Sequence, residues 1–392
     1  MHFFLLLSFI FYLMNSHRHL FDIPDNIAYF NCAYYSPQLN GSRNKLLEGV
    51  KAKSHPWERT PPDFFTDAEK IRISASEIFG GSPDGYAIVP SVSYGLSTAA
   101  RDVESQLGTG DSILILEEGF PSNVLPWTRV ANEKGVKLIK VPVPEDGNWT
   151  RAIIDRIDKS VKVLALFTCH WTNGANIDLV SIRQAIGNYD IVMAIDATQS
   201  LGAVPFQLEK VKPDFLVAAG YKWLLCPYGF TLMYVSERWR SARPLEESWQ
   251  ARENAEDFGS LVLSSDRYKP GARRFDVGQK GTPTILPGAI AAFEQIKTWG
   301  VDHISDFLVE INNRIADHLS EMGFQLPDSS QRSPHMFGAT IPERFKGNLV
   351  AELTRRKIYI SQRGDSVRFS PHLHISENDM NRLLETLDKL VM

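Results

Sequence analysis

The sequence predicts an α/β fold, with a large domain on a mostly parallel seven-stranded sheet and a smaller C-terminal α/β domain. Three observations carry this reading. Seven short apolar, β-branched runs recur between residues 86 and 236, and amphipathic segments separate several of them. After residue 286 the pattern changes, with two long helical segments preceding short strands and a final helix.

The seven runs are YAIV (86–89), DSILILEE (111–118), VKLIKVPV (136–143), VKVLALFT (161–168), DIVMAID (190–196), DFLVA (214–218) and FTLMYVS (230–236). Continuous apolar runs of this length read as strands covered on both faces. The segments SYGLSTAARDVESQL, PSNVLPWTRVANEK and DLVSIRQAIGN have helical periodicity. Strand–helix alternation implies a parallel sheet with right-handed crossovers, and ligands of such sheets bind beyond the carboxyl ends of the strands. Further on, LPGAIAAFEQIKTWG and DHISDFLVEINNRIADHLSEMG read as helices, the second stopping at Gly323 as a C-cap would. FGATI, KIYIS and VRFSP read as strands, and a last helix is expected near 375–391. The chain then divides into an apolar extension (1–18), a segment packing near the active site and the small domain (19–45), a large domain (46–285) and a small domain (286–392). Residues 243–283 form a long irregular stretch, and such stretches in compact enzymes are often functional.

Composition excludes several functions. The chain has 392 residues and a net charge of −4, with no basic runs, so no nucleic-acid surface is expected. Cys32, Cys169 and Cys226 are far apart and form no CxxC pair, which argues against a metal site or a disulfide framework. Their pattern fits a reducing compartment, and a cytoplasmic location is expected. The opening MHFFLLLSFIFYL is apolar but too short to span a bilayer. Three readings of it stand side by side: a start at Met14, a targeting or membrane-surface segment, and packed structure. No other segment is long and apolar enough for a membrane span.

The chemistry gathers at strand ends. Lys222, in AGYKWLLCPYGF, follows the strand DFLVA among apolar residues. A desolvated lysine there is a usable amine nucleophile, most often forming a Schiff base with a carbonyl; a snorkelling lysine is the bland alternative. Asp196 closes IVMAID, where a carboxylate could hold the proton of a pyridinium nitrogen; the alternative is an N-cap. Gln199 follows and could hydrogen-bond a ring oxygen. In PSVSYG, residues Ser91, Val92 and Ser93 open a helix and would favour a phosphate. Phe120 stands beyond another strand end, where an aromatic could stack on a flat ring, although a core role is its default. In HWTNG, Asn173 could donate to a ring oxygen or serve the turn before Gly174. Together these five strand ends carry the parts of a pyridoxal phosphate (PLP) site.

With those residues in place, the chain resembles the class-V aminotransferase family of fold-type I PLP enzymes, which includes cysteine desulfurases, isopenicillin N epimerase and kynureninase. The likeness extends from about His19 onward. Asp196, Gln199 and Lys222 match the family's Asp-x-x-Gln and its later Schiff-base lysine. AYFNCAYYSP resembles the segment that places an Asn near the substrate, here Asn31. EEGFPSNVLPW resembles the stretch with the ring-stacking residue, here Phe120, and HWTNG the segment whose Asn approaches the cofactor, here Asn173. RFDVGQKGTP resembles the loop reaching the neighbouring subunit's cofactor phosphate, which implies contacts by Gly281 and Thr282 and a homodimer with composite sites. VRFSPHLHIS resembles the motif whose arginine, here Arg368, holds the substrate carboxylate.

The departures shape the expected activity. Desulfurases usually carry His before the lysine, and this chain has Tyr221, whose phenol can still bond a phosphate. Phe120 replaces a titrating histidine. No cysteine follows Cys226, so the persulfide-forming reaction is not expected. The resemblance therefore implies an aminotransferase or lyase acting at Cα of a small amino acid, with epimerisation next and desulfuration last. The different-class alternative is an idle relative that keeps the fold as a scaffold. A nucleotide-binding enzyme would want a Walker or GxGxxG pattern, and none is present.

Overall fold

A computed structural model describes residues 16–263 and 265–391. The apolar run at residues 3–13 lies outside the described residues.

All seven expected runs form one sheet. After the short strand β1 (Ala28–Tyr29) come β2 (Tyr86–Val89), β3 (Ser112–Leu116), β4 (Lys137–Val141), β5 (Val161–Phe167), β6 (Val192–Asp196), β7 (Phe215–Ala219) and β8 (Thr231–Val235). Their order across the sheet is β2-β8-β7-β6-β5-β3-β4. Only β8 runs against its neighbours, pairing antiparallel with both β2 and β7. The chain steps outward from β3 to β4 and returns on the other side of β3 as β5. That reversal opens a crevice beyond the carboxyl ends of β3 and β5.

The sheet is covered on both faces, which is why its strands read as unbroken apolar runs. Alternate residues face opposite sides. Ile113, Ile115, Val163, Ala165, Phe215 and Val217 pack with Leu96, Ala99, Trp127 and Val130 of the helices Val92–Val103 and Leu125–Lys134. Leu114, Leu116, Leu164, Leu166, Met193 and Ile195 pack into the larger core on the other face. Each such side chain contributes about 1.5–3 kcal/mol by leaving water.

The C-terminal strands β9 (Phe337–Thr340), β11 (Ser361–Arg363) and β12 (Ser366–Phe369) form an antiparallel sheet in the order β11-β12-β9. The intervening β10 (Ile358–Tyr359) pairs with β1 instead. The N-terminal segment thus joins the C-terminal elements, and it also touches the main sheet: Gln199 Nε2 donates to Ala33 O at 3.1 Å, and Ser36 N to Tyr221 O at 3.2 Å. The helix Leu286–Trp299 packs on the helices Asn40–Ala52 and Thr66–Phe79.

Among the described residues of 243–283 the helical elements are all 3-10 turns, and the stretch is anchored. Asp276, 2% exposed, accepts from Ile88 N of β2 and pairs with the buried Arg72 and Lys280. Among the described residues no helix is long and apolar enough to cross a membrane.

Candidate active site

Beyond their carboxyl ends, β2, β3, β5, β6 and β7 deliver residues to one cavity of about 260 Å³. Ser91, Val92, Ser93, Phe120, Trp171, Asp196, Gln199, Tyr221 and Lys222 line it.

Lys222 stands on a tight turn between β7 and β8. Gly220 N donates to Phe230 O at 2.9 Å, Cys226 N to Gly220 O at 2.9 Å, and Leu225 N to Lys222 O at 3.1 Å. A Cβ on Gly220 would lie 2.6 Å from the Phe230 ring and 2.8 Å from its carbonyl, so only glycine permits this closure. Trp223 Nε1 ties the turn to Gln199 Oε1 at 3.1 Å. The lysine is therefore held, and only 8% exposed. Among the described residues nothing accepts a hydrogen bond from its Nζ, which lies 6.0 Å from the Phe120 ring centroid and 5.7 Å from that of Tyr221. Burial, helped by the Arg368 charge and opposed by Asp196, pushes its pKa down to about 8.

Asp196 ends β6 and is 5% exposed. Its Oδ1 accepts from Thr198 N at 3.0 Å. Burial raises its pKa, against the lowering effects of Thr198 and Lys222. A buried acid of this kind is stabilised by a cation placed against it.

Ser91 caps the helix Val92–Val103, accepting from Tyr94 N at 3.1 Å, and its hydroxyl lies 3.1 Å from that of Ser93. The first N–H groups of a helix have no partner within it and draw an anion. Gly95 lets this helix lie close on β7: a Cβ there would sit 2.9 and 3.0 Å from the γ-carbons of Val217.

Arg368, 1% exposed on β12, is a buried cation without an acidic partner among the described residues. Its Nη1 donates to Trp171 O, while Nε and Nη2 have no partner among the described residues. Burial, then the neighbouring Arg363 charge, lowers its pKa to about 9. Orphaned donors on a buried guanidinium ask for an anion with two oxygens. Asn31 forms a bridge with Ser370, and its buried Oδ1 is also unpartnered.

Not every predicted residue arrives where it was expected. Asn173 does not line the cavity; its Oδ1 accepts from Ala175 N at 3.0 Å, closing the turn around Gly174. The amide oxygen thus serves the turn, while a donation to a ring oxygen would fall to Nδ2. Gly281 and Thr282 do not line their own chain's cavity: Gly281 O accepts from Arg59 at 2.7 Å, and Thr282 Oγ1 donates to Gln279 O at 2.8 Å. Gln199 lines the cavity, yet both ends of its amide already bond Ala33 and Trp223.

Sequence reasoning passed over Trp171 and Tyr228, which also line the cavity. Trp171 packs edge-on against Phe120 at 5.5 Å, and its Nε1 donates to Glu118 O at 2.7 Å. Its position just beyond β5 is the signal that singled out Phe120. His170 is turned away, stacked on Trp149 at 4.9 Å with burial holding its pKa at about 4.

This donor set fits pyridoxal phosphate. It offers an unpaired amine, a buried carboxylate, a helix N-terminus with two hydroxyls and an aromatic wall.

The Aminotransferase class-V family model matches residues 64–383. An uncharacterized aminotransferase of Schizosaccharomyces pombe is 24% identical over 383 residues, covering 94% of this chain and 93% of that protein. The apo cysteine desulfurase from Thermococcus onnurineus superposes with a TM-score of 0.82 at 18% identity, over 96% of this chain and 98% of that one. A C-DES mutant with glycine covalently linked to its PLP cofactor superposes with a TM-score of 0.84 at 18% identity, over 96% and 100%. The chain belongs to the class-V aminotransferase family and is a PLP-dependent enzyme of fold type I.

Proposed function

We propose that the enzyme performs aminotransfer or β-elimination at Cα of an amino acid, with Lys222 as its sole base. The observation that carries this is the pairing of an unbonded Lys222 amine with the orphaned donors of Arg368. Arg368 does not itself line the cavity, but it is bonded to the carbonyl of Trp171, which does, and its charge acts on Lys222. An amine with a carboxylate binder beside it is what an α-amino acid requires.

Bound PLP supplies a carbonyl that condenses with amines and a ring that delocalises the charge left at Cα. Asp196 holds the proton on the ring nitrogen. Ser91, Ser93, the Val92 amide and Tyr221 would hold the phosphate, and Phe120 would offer its ring to the cofactor's. Gln199 has one amide hydrogen left to offer the ring oxygen. Arg368 takes the substrate carboxylate on Nε and Nη2 and so fixes which bond at Cα faces the base. Lys222 Nζ takes the Cα proton and returns it.

Two features favour these reactions over their rivals. Epimerisation with separate bases needs a second proton carrier, but Phe120 cannot titrate, burial raises the Tyr221 pKa, and His170 points elsewhere. Persulfide formation needs a reachable thiol, whereas Cys32, Cys169 and Cys226 are buried, with burial raising all three pKa values.

We also propose a homodimer in which Gly281 and Thr282 approach the other subunit's cofactor phosphate. Tyr34, Tyr35 and Tyr228, 61%, 46% and 67% exposed, give this end of the molecule an aromatic rim suited to a partner.

The test is an amino-acid panel added to the loaded enzyme. Conversion of the cofactor to its amine form with release of a keto acid identifies aminotransfer. An unchanged cofactor with release of a keto acid and ammonia identifies elimination. Inverted amino acid with neither product overturns the proposal.

A further inference from the structure

Among the described residues Arg363 has no acidic partner, although it lies beside Trp171, which lines the cavity. Its guanidinium carbon lies 5.9 Å from the centroid of the Trp171 ring, and its Nη1 bonds only the adjacent Gln362 carbonyl, at 2.7 Å. Among the described residues no carboxylate lies within ion-pairing distance of it. The β11–β12 register pairs Ser361 with Arg368 and Arg363 with Ser366. Directly opposed residues share a face, as do alternate ones along a strand. Ser361, Arg363, Ser366 and Arg368 therefore lie on one face of this hairpin. Trp171 links the two arginines, since its carbonyl accepts from Arg368 while its ring neighbours Arg363 and lines the cavity. The Ser361 hydroxyl, opposite Arg368, is buried and unpartnered.

We infer that Arg363 is a specificity residue that receives a second anionic group, so that the preferred substrate is an amino acid with an acidic side chain. This rests on the reading of the cavity as an amino-acid site. The charge balance supports it. With Lys222 carrying the cofactor and Asp196 answering the ring nitrogen, the cations left are Arg368 and Arg363, and the α-carboxylate answers only one of them. Arg363 is near enough for its charge to act on both Lys222 and Arg368. The Trp171 ring face also attracts the Arg363 guanidinium and so helps to orient the fork that would meet the second anion.

The test uses PLP-loaded protein and four chain-matched acids, read by calorimetry: succinate and glutarate against butyrate and pentanoate. The diacids should bind about 10- to 100-fold more tightly. Arg363→Gln should bring each diacid to within about 3-fold of its monoacid and leave the monoacids unchanged, and Arg363→Lys should keep part of the preference. Equal binding of all four acids to the unmutated protein, including no measurable binding of any, overturns the inference. So does an Arg363→Gln variant that weakens both classes alike. Arg368→Gln reports separately on the underlying reading. It should weaken all four acids, and if it weakens none the carboxylate site itself is misassigned.

Discussion

Replacing Arg368 by Met should separate function from stability. Met keeps much of the side chain's length and apolar stem while removing the charge. The folded chain holds this guanidinium almost wholly out of water, which lowers its pKa from the ordinary arginine value to about 9. Because the folded value lies below the unfolded one, folding disfavours the charged form, and at neutral pH that cost is fully present. At about 1.4 kcal/mol per pH unit, its upper bound is on the order of 5 kcal/mol. The substitution removes this cost but leaves the Trp171 carbonyl without its donor, which costs about 1–3 kcal/mol. The two effects oppose each other, so the variant's Tm should stay within about 5 °C of the parent's or rise above it. Amino-acid binding should behave oppositely. Losing a buried guanidinium–carboxylate pair costs about 2–5 kcal/mol, or roughly 30- to 4000-fold in affinity. Cofactor uptake should be retained. Thermal scans and absorbance titrations with amino acids measure these effects side by side. A Tm lower by more than about 5 °C, with amino-acid affinity unchanged, would show that Arg368 braces the fold instead.

Two other predictions concern the cofactor end. Gly95→Ala places a methyl against Val217 and lifts the helix Val92–Val103 from β7. It should cost about 1–3 kcal/mol of stability and weaken PLP binding measured by equilibrium dialysis, whereas unchanged binding would remove the helix N-terminus from the phosphate site. The rate of PLP uptake by apo protein should rise with pH through about 8, where Lys222 loses its proton, and Arg368→Met should move that midpoint upward. The folded Lys222 pKa lies below the unfolded value of 10.5, so this residue also adds stability as pH rises from about 8 to 10.5, a window that denaturant titrations can follow.

The sheet was legible because its strands are buried on both faces, which leaves an apolar run with little ambiguity. The helices before it were not. In Asn40–Ala52, Leu47 and Val50 are 61% and 54% exposed, so no clean apolar stripe exists. In Thr66–Phe79, the fully buried Arg72 occupies a core position while Ile73 faces solvent, reversing the usual code. Arg72 is tolerated because Asp276, far along the chain, is buried against it. The site followed the same logic. Lys222, Asp196, Phe120 and Ser91 were readable because each directly follows a strand, and strand ends converge by topology. Arg363 was not, since its closeness to Trp171 arises only when the C-terminal hairpin docks beside β5. Asn173 was readable as a turn residue or a cofactor ligand; its Oδ1 serves the turn by accepting from Ala175 N, which leaves the Nδ2 donor role open.

The central claim is that Lys222 carries the cofactor. The direct measurement is borohydride reduction of PLP-loaded protein, followed by peptide mapping of the bound mass. The account predicts that the label falls on Lys222 alone and is absent from Lys222→Ala. Label on another lysine, or retained label in Lys222→Ala, would contradict it.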